Sequence, residues 1–483
     1  MKLATYTLTA VMVVTGVVPA AAQARRTLPR LKVSDNKRFL VQEDGKPFFY
    51  LGDTAWELFH RLTREEAAAY LKLRAEQKFT VIQAVALAEF DGLTEPNAYG
   101  SLPLTDLDPA RPAVTAGADP ENPKQYDYWD HVEYIVDEAN RQGLYIGLLP
   151  SWGGWLEDDK PGKNKVLNAG NAQAYGEFIG KRFGKKGIIW ILGGDRSADQ
   201  TAATWRAMAR GIAIGVNGKE DYTGLVMGFH PSGGGTSSRW FHEDPWLTVN
   251  MQQTGHGLAA DVRSWERIAN DYNRTPVKPV MDAEPLYEDH PLAFRAKDNG
   301  YSFDAHVRQR AYWDVFSGAF GHTYGDHSVW QMYTPQRKPI NGPLLDWTQA
   351  VHRLGATQMQ YLRALIESRP FLSRVPDQSI VANALEGADH ICATRGDGYL
   401  FVYSAQGRPF TVNMGKISGD RVKGWWYSPR GGYSLDAGVL DNRGTHDFEP
   451  PSQGFGSDWV LVLDDAGKNF AAPGIRVSGA NPL

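Results

Sequence analysis

Two acidic residues stand in settings that suit proton and nucleophile chemistry. Asp195 follows a glycine pair in the run Ile191-Leu192-Gly193-Gly194-Asp195-Arg196, and Glu284 precedes Pro285 in Met281-Asp282-Ala283-Glu284-Pro285. The glycines remove side chains beside the first acid, permitting close backbone approach and tight turning, while Arg196 adds a cation next to it. Pro285 has no N–H to give to a sheet ladder and helps to stop a strand. Paired carboxyl groups are what glycosidic cleavage requires: one protonates the departing oxygen, and the other attacks the anomeric carbon or activates water. Asp282 shares a strand face with Glu284 by period-two geometry, and spacing leaves the two as rivals for the second role.

The elements that must position these acids alternate strand with helix. FFYLGD (48–53) reads as a strand, and the periodic segment after it carries Thr63 and Glu66 in capping-box spacing. TVIQAVALAE (80–89) is a second strand, followed by a helix closed by Gly143. LYIGLLPSW and its following helix come next. Ile188 to Arg196 is an unbroken apolar fourth strand of the kind buried in a parallel sheet. YTGLVMGFH, WLTVNMQQTGH and PVKPVMDAE give the fifth to seventh, with helical patterns around Trp205 to Ile214 and Ser264 to Asn270. A less regular eighth runs from Gly321 through Trp330, and a last helix from about Leu344 to Ile366. Eight βα units in one pass predict a (β/α)8 TIM barrel over residues 36–368, although a doubly wound open sheet uses the same local signals. Beyond Pro370, short strand-like runs punctuated by Gly, Pro, Asn and Asp predict a small all-β sandwich over residues 371–470. The short junction predicts that this domain packs on the barrel.

A barrel of this kind places its site at the C-terminal ends of the strands, so polar or aromatic residues there are candidates. Besides the two acids these are Asp53, Gln83, Glu89, Trp152, Arg196, His230 and His256, with His322 and Trp330 around the eighth strand. The histidines suit hydrogen bonding to sugar hydroxyls or tuning of a carboxylate, and equally suit a satisfied buried role. No H-E-x-x-H or comparable short ligand spacing occurs, so no metal or other cofactor is expected. The run Ser232-Gly233-Gly234-Gly235 lacks the lysine of a phosphate loop and reads as a flexible rim loop.

Bulk properties narrow the setting. Lys2, the apolar run from Leu8 to Val18 and the A-x-A site Ala22-Gln23-Ala24 read as an export signal over residues 1–24. That run falls short of the ~20 residues a membrane span needs, and the expectation is a periplasmic or secreted protein with no membrane span. The single Cys392 excludes an intramolecular disulfide framework. With 55 acidic and 51 basic residues the chain is too balanced to capture nucleic acid or anionic lipid by charge. Fifteen Trp and twenty-one Tyr fit a cleft that uses rings as apolar platforms, so the expected partner is an oligo- or polysaccharide.

The stretches GKPFFYLGDTAWELFHRLTREEA, VIQAVALAEFDGLTEPNAYG, GLYIGLLPSWG and IIWILGGDR resemble the apiosidase-like catalytic domain of glycoside hydrolase family 140, from roughly Asn36 to Ser368. WWYSPRGG resembles the β domain that accompanies that barrel and carries a collagen-binding label, although nothing in it has the chemistry of a protease. The resemblance implies cleavage of the bond between apiose and galacturonate in side chains of pectic rhamnogalacturonan II. It implies Asp195 as acid/base and Glu284, in preference to Asp282, as nucleophile or base. Analogy with barrels carrying acids on strands four and seven favours a retaining outcome. A galacturonate beside the scissile bond would want a cation, and Arg196 and Arg61 are the candidates. The alternatives are a glycosidase for another plant or bacterial polysaccharide, a non-catalytic carbohydrate- or collagen-binding protein, and a metal-dependent hydrolase that chelation would inactivate.

Overall fold

The computed structural model describes residues 28–156, 165–258 and 262–474. The expected export signal, residues 1–24, lies outside them. After a small antiparallel sheet near the start come eight parallel strands: β1 (Tyr50–Thr54), β2 (Val81–Leu87), β3 (Tyr145–Ser151), β4 (Ile188–Gly193), β5 (Met227–His230), β6 (Asn250–Gln252), β7 (Val280–Asp282) and β8 (Gly321–Tyr324). Six pair in the order β8-β1-β2-β3-β4-β5, and β6 pairs with β7. Backbone bonds from Thr248 N to Met227 O (2.9 Å) and from Phe320 N to Val280 O (3.0 Å) join the two ladders. The result is the (β/α)8 barrel that the alternation predicts.

Local chemistry starts the helices where the sequence indicates. Thr63 and Glu66 form the anticipated capping box at the head of Arg64–Glu76, and Asp127 with Asp130 forms another ahead of Tyr128–Arg141. Two expectations need correction. The last helix is two pieces, Trp347–Ala350 and Leu354–Glu367, separated where Arg353 is extended and pairs with Asp289 and Asp326. A further helix, Asp304–Phe316, precedes β8 and is buried almost all round, Arg308, Arg310 and Asp314 included, so its polar residues mark no solvent face.

Part of that burial comes from the second domain, which covers Arg308, Tyr312 and Trp313. Its strands are β9 (Val375–Pro376), β10 (Ile391–Gly396), β11 (Tyr399–Ser404), β12 (Phe410–Asn413), β13 (Arg421–Tyr427), β14 (Ser434–Asp441), β15 (Thr445–Phe448) and β16 (Trp459–Asp465). A six-stranded antiparallel sheet, β9-β10-β11-β16-β13-β14, faces the β12-β15 pair across a core that includes Ile391, Val402, Phe410, Val422 and Leu461. Tyr403 stacks on Tyr312 with centroids 4.8 Å apart, and Trp313 donates to His390 O at 3.0 Å. Arg308 pairs with Asp458 at 2.9 Å, both side chains buried, so the sandwich is docked on the barrel as the short junction predicts. Among the described residues no helix is long and apolar enough to cross a membrane.

Candidate active site

The position of Asp195 follows from its two glycines. Gly193, Gly194 and Asp195 have φ of 93°, 127° and 54°, three successive residues in a region that side chains disfavour. A Cβ at Gly193 would lie 2.2 Å from His230 O, and one at Gly194 would lie 2.8 Å from Gly153 N. The turn is therefore wedged between the ends of β3 and β5, held by Gly194 N donating to His230 O and Gly153 N donating to Gly194 O, both at 3.0 Å. Glycine fits this turn, and Asp195 accepts a strained backbone at its end. The side chain is 37% exposed, and Arg196 Nη1 reaches its Oδ2 at 3.1 Å.

Glu284 lies just past β7 and is almost fully buried. Its Oε2 is 3.1 Å from His230 Nε2 and its Oε1 is 3.3 Å from His256 Nε2. At His256 the far nitrogen, Nδ1, accepts the Tyr287 N–H at 3.4 Å, which leaves the proton on the nitrogen facing Glu284. At His230, Nδ1 faces both the Asp195 N–H at 3.4 Å and Pro231 O at 3.1 Å. Accepting the Asp195 N–H leaves the ring proton on Nε2, on the Glu284 side, whereas donating to Pro231 O would place it on Nδ1.

These surroundings push the two carboxyl groups apart. Burial opposes ionisation of Glu284, but hydrogen bonds and charge from His230 and His256 outweigh it and hold the group well below the usual carboxylate range. Burial first, and then the charge of Glu284, raises Asp195, while His230, Arg196 and Gln253 offset only part of that. The shifts run in opposite directions, favouring the proton on Asp195 over Glu284, the division of labour that acid-assisted displacement requires.

Both acids line a cleft of about 450 Å³ at the barrel mouth, together with Glu89, Trp152, His256 and Trp330 from the sequence-derived set. His230 lies beneath, against Glu284. Gly233 and Gly234 line the rim, where the glycine run was expected. Other candidates are elsewhere. Asp53 points outward into the helix layer, where it pairs with Arg74 at 2.5 Å and accepts from Tyr70. His322 also faces outward, 3.2 Å from Asp314 on Asp304–Phe316. Gln83 is inside the barrel below the mouth, donating to Thr323 Oγ1 at 2.6 Å and Ala283 O at 3.3 Å. Arg61 pairs with Glu57 at 3.3 Å, and neither it nor Arg196 is among the described residues lining the cleft. Asp282 is a support: its Oδ1 accepts the Glu284 and Thr254 N–H groups, each at 3.2 Å.

The cleft also contains residues that a search for polar strand ends passes over: Trp56, Phe90, Gln253, Tyr287, His290 and Phe294. Trp56 and Phe90 lie shortly past the first two strand ends, Thr54 and Leu87, and nearness to Asp53 and Glu89 was the available signal. His290 stacks on His256 with centroids 3.9 Å apart, and burial first holds it down at about 2, so it is a neutral backing for the histidine that contacts Glu284.

Comparison with known proteins agrees with this chemistry. A solved structure described as a glycoside hydrolase is similar over 92% of this chain and 98% of its own, at 36% identity and a TM-score of 0.82. Another, a glycoside hydrolase family 5 protein from Bacteroides vulgatus ATCC 8482, is similar over 92% and 95%, at 34% identity and a TM-score of 0.81. Among curated proteins no match is found. The chain is a glycoside hydrolase. More particularly, it belongs to the apiosidase-like family, whose catalytic-domain model matches residues 34–373. Residues 375–464 match the family described as "Putative collagen-binding domain of a collagenase".

Proposed function

We propose that this enzyme hydrolyses the bond between apiose and galacturonate in side chains of rhamnogalacturonan II, and that it does so after export, with residues 1–24 removed. The observation that carries the mechanism is that Asp195 and Glu284 line one cleft in surroundings that shift their carboxyl groups in opposite directions. Asp195 gives its proton to the glycosidic oxygen as that bond breaks. Glu284 supplies negative charge to the anomeric carbon, as nucleophile or as the base that activates water. Membership of the apiosidase-like family supports the choice of sugar.

The test is to compare Asp195→Asn and Glu284→Gln with the parent on rhamnogalacturonan II side-chain oligosaccharides. Turnover falls by about 10²–10⁴-fold for the acid and on the order of 10³-fold or more for Glu284, with binding retained. Unchanged turnover in both variants would refute the reading. Amino-terminal sequencing of exported protein tests the location, with Arg25 expected first.

A further inference from the structure

Among the described residues, three that line the cleft each carry a buried side-chain polar atom with no hydrogen-bond partner: Trp152 Nε1, Tyr287 Oη and Gln253 Oε1. Their side chains belong to residues 4%, 2% and 5% exposed. Buried polar groups are almost always paired, because leaving one unmade is expensive. Three of them along the wall shared by Asp195 and Glu284 mark a place where a partner supplies the missing groups.

Each atom is held in place. Gly325 leaves room for the Tyr287 ring, since a Cβ there would come within 2.2 Å of it. The ring packs 4.6 Å from that of His256, and Thr54 and Trp56 stand beside the phenol without completing a hydrogen bond with it. Burial first, then the charges of Glu284 and Asp195, raises the phenol well above its ordinary range, so it remains a donor. Trp152 packs on Trp56 with centroids 5.4 Å apart. Gln253 lies beside Asp195 and favours its ionised form, and its Oε1 has no hydrogen-bond partner.

We propose that Trp152, Tyr287 and Gln253 are specificity residues that read the oxygen pattern of the sugar whose anomeric bond is cleaved. Trp152 Nε1 and Tyr287 Oη donate to two sugar oxygens, and Gln253 Oε1 accepts from a hydroxyl. A site built to bond a hydroxyl rejects an analogue that lacks it, because the protein atoms are then left unpaired. This assignment rests on the glycosidase reading and deepens it.

The experiment measures kcat and KM of the parent, Tyr287→Phe and Trp152→Phe on an aryl apioside and on each of its monodeoxy derivatives, with melting temperatures as a check on folding. Tyr287→Phe keeps the ring and removes only the hydroxyl. Each variant is expected to lose about 10–100-fold in kcat/KM on the complete sugar. Each should lose nothing on the one derivative missing the oxygen it reads. A structural role would lower every substrate alike. Equal losses on all derivatives, or no loss on the complete sugar while Glu284→Gln is inactive, would overturn this assignment and leave the glycosidase reading standing. Turnover retained by Glu284→Gln would overturn that reading itself, and no turnover of the aryl apioside by the parent would overturn the choice of apiose.

Discussion

His230 Nε2 lies 3.1 Å from Oε2 of Glu284. The same ring presents Nδ1 to the Asp195 N–H at 3.4 Å, so one histidine at the end of β5 touches the settings of both acids. His256 addresses the other oxygen of Glu284 at 3.3 Å. Two histidines on one carboxylate, beside a half-buried acid next to that negative charge, are the electrostatic basis of the assigned roles.

Activity against pH should show both effects. Glu284 must be ionised, and its pKa is depressed, so activity is present above that value and lost only as pH falls through it, well into the acid range. Asp195 must be protonated, and its pKa is raised, so activity is lost as pH rises through that elevated value. Removing a donor with His256→Ala weakens the hold on the Glu284 carboxylate and moves the acidic limb of kcat/KM to higher pH. An acidic limb unchanged by this substitution would disconnect His256 from the ionisation of Glu284.

The turn after β4 predicts a specific intolerance. Alanine at Gly193 meets a backbone oxygen at 2.2 Å and takes a φ of 93°, which costs about 1–3 kcal/mol in backbone strain before the clash is counted. Gly193→Ala should melt earlier and lose about 10²-fold or more in kcat as Asp195 is displaced. Parent-like kcat and melting temperature would show that the wedge between β3 and β5 does not set the acid's position.

Asp53 gives the opposite pattern. Asp53 and Arg74 are fully buried, and breaking such a pair costs about 3–5 kcal/mol. Asp53→Asn should therefore lower thermal stability while the remaining folded enzyme keeps its KM. A raised KM at unchanged stability would return Asp53 to the substrate.

The contrast between Asp53 and Asp195 shows what the sequence could convey. The eight apolar runs, their caps and the acids after β4 and β7 are local patterns, so the barrel and the two carboxylates were legible. The direction of a polar residue near a strand end was not, because alternate residues face the cleft and the helix layer. Asp53 and His322 answer to Arg74 and Asp314, partners distant in space until the chain folds. The helix Asp304–Phe316 escaped because Arg308 and Arg310, which look solvent-facing in sequence, are buried, Arg308 against the sandwich and Arg310 against the barrel. Phe90 comes from a loop and Phe294 from the short 3-10 turn Leu292–Phe294, where no periodicity singles out a ring that lines a cleft.

The most direct measurement is to incubate the protein with defined rhamnogalacturonan II side-chain oligosaccharides, identify the products by mass spectrometry and follow the new anomeric centre by NMR. The account predicts a side chain released with apiose at its new reducing end, and no release by Glu284→Gln. Release of a different sugar at that end, or equal release by Glu284→Gln, would contradict it.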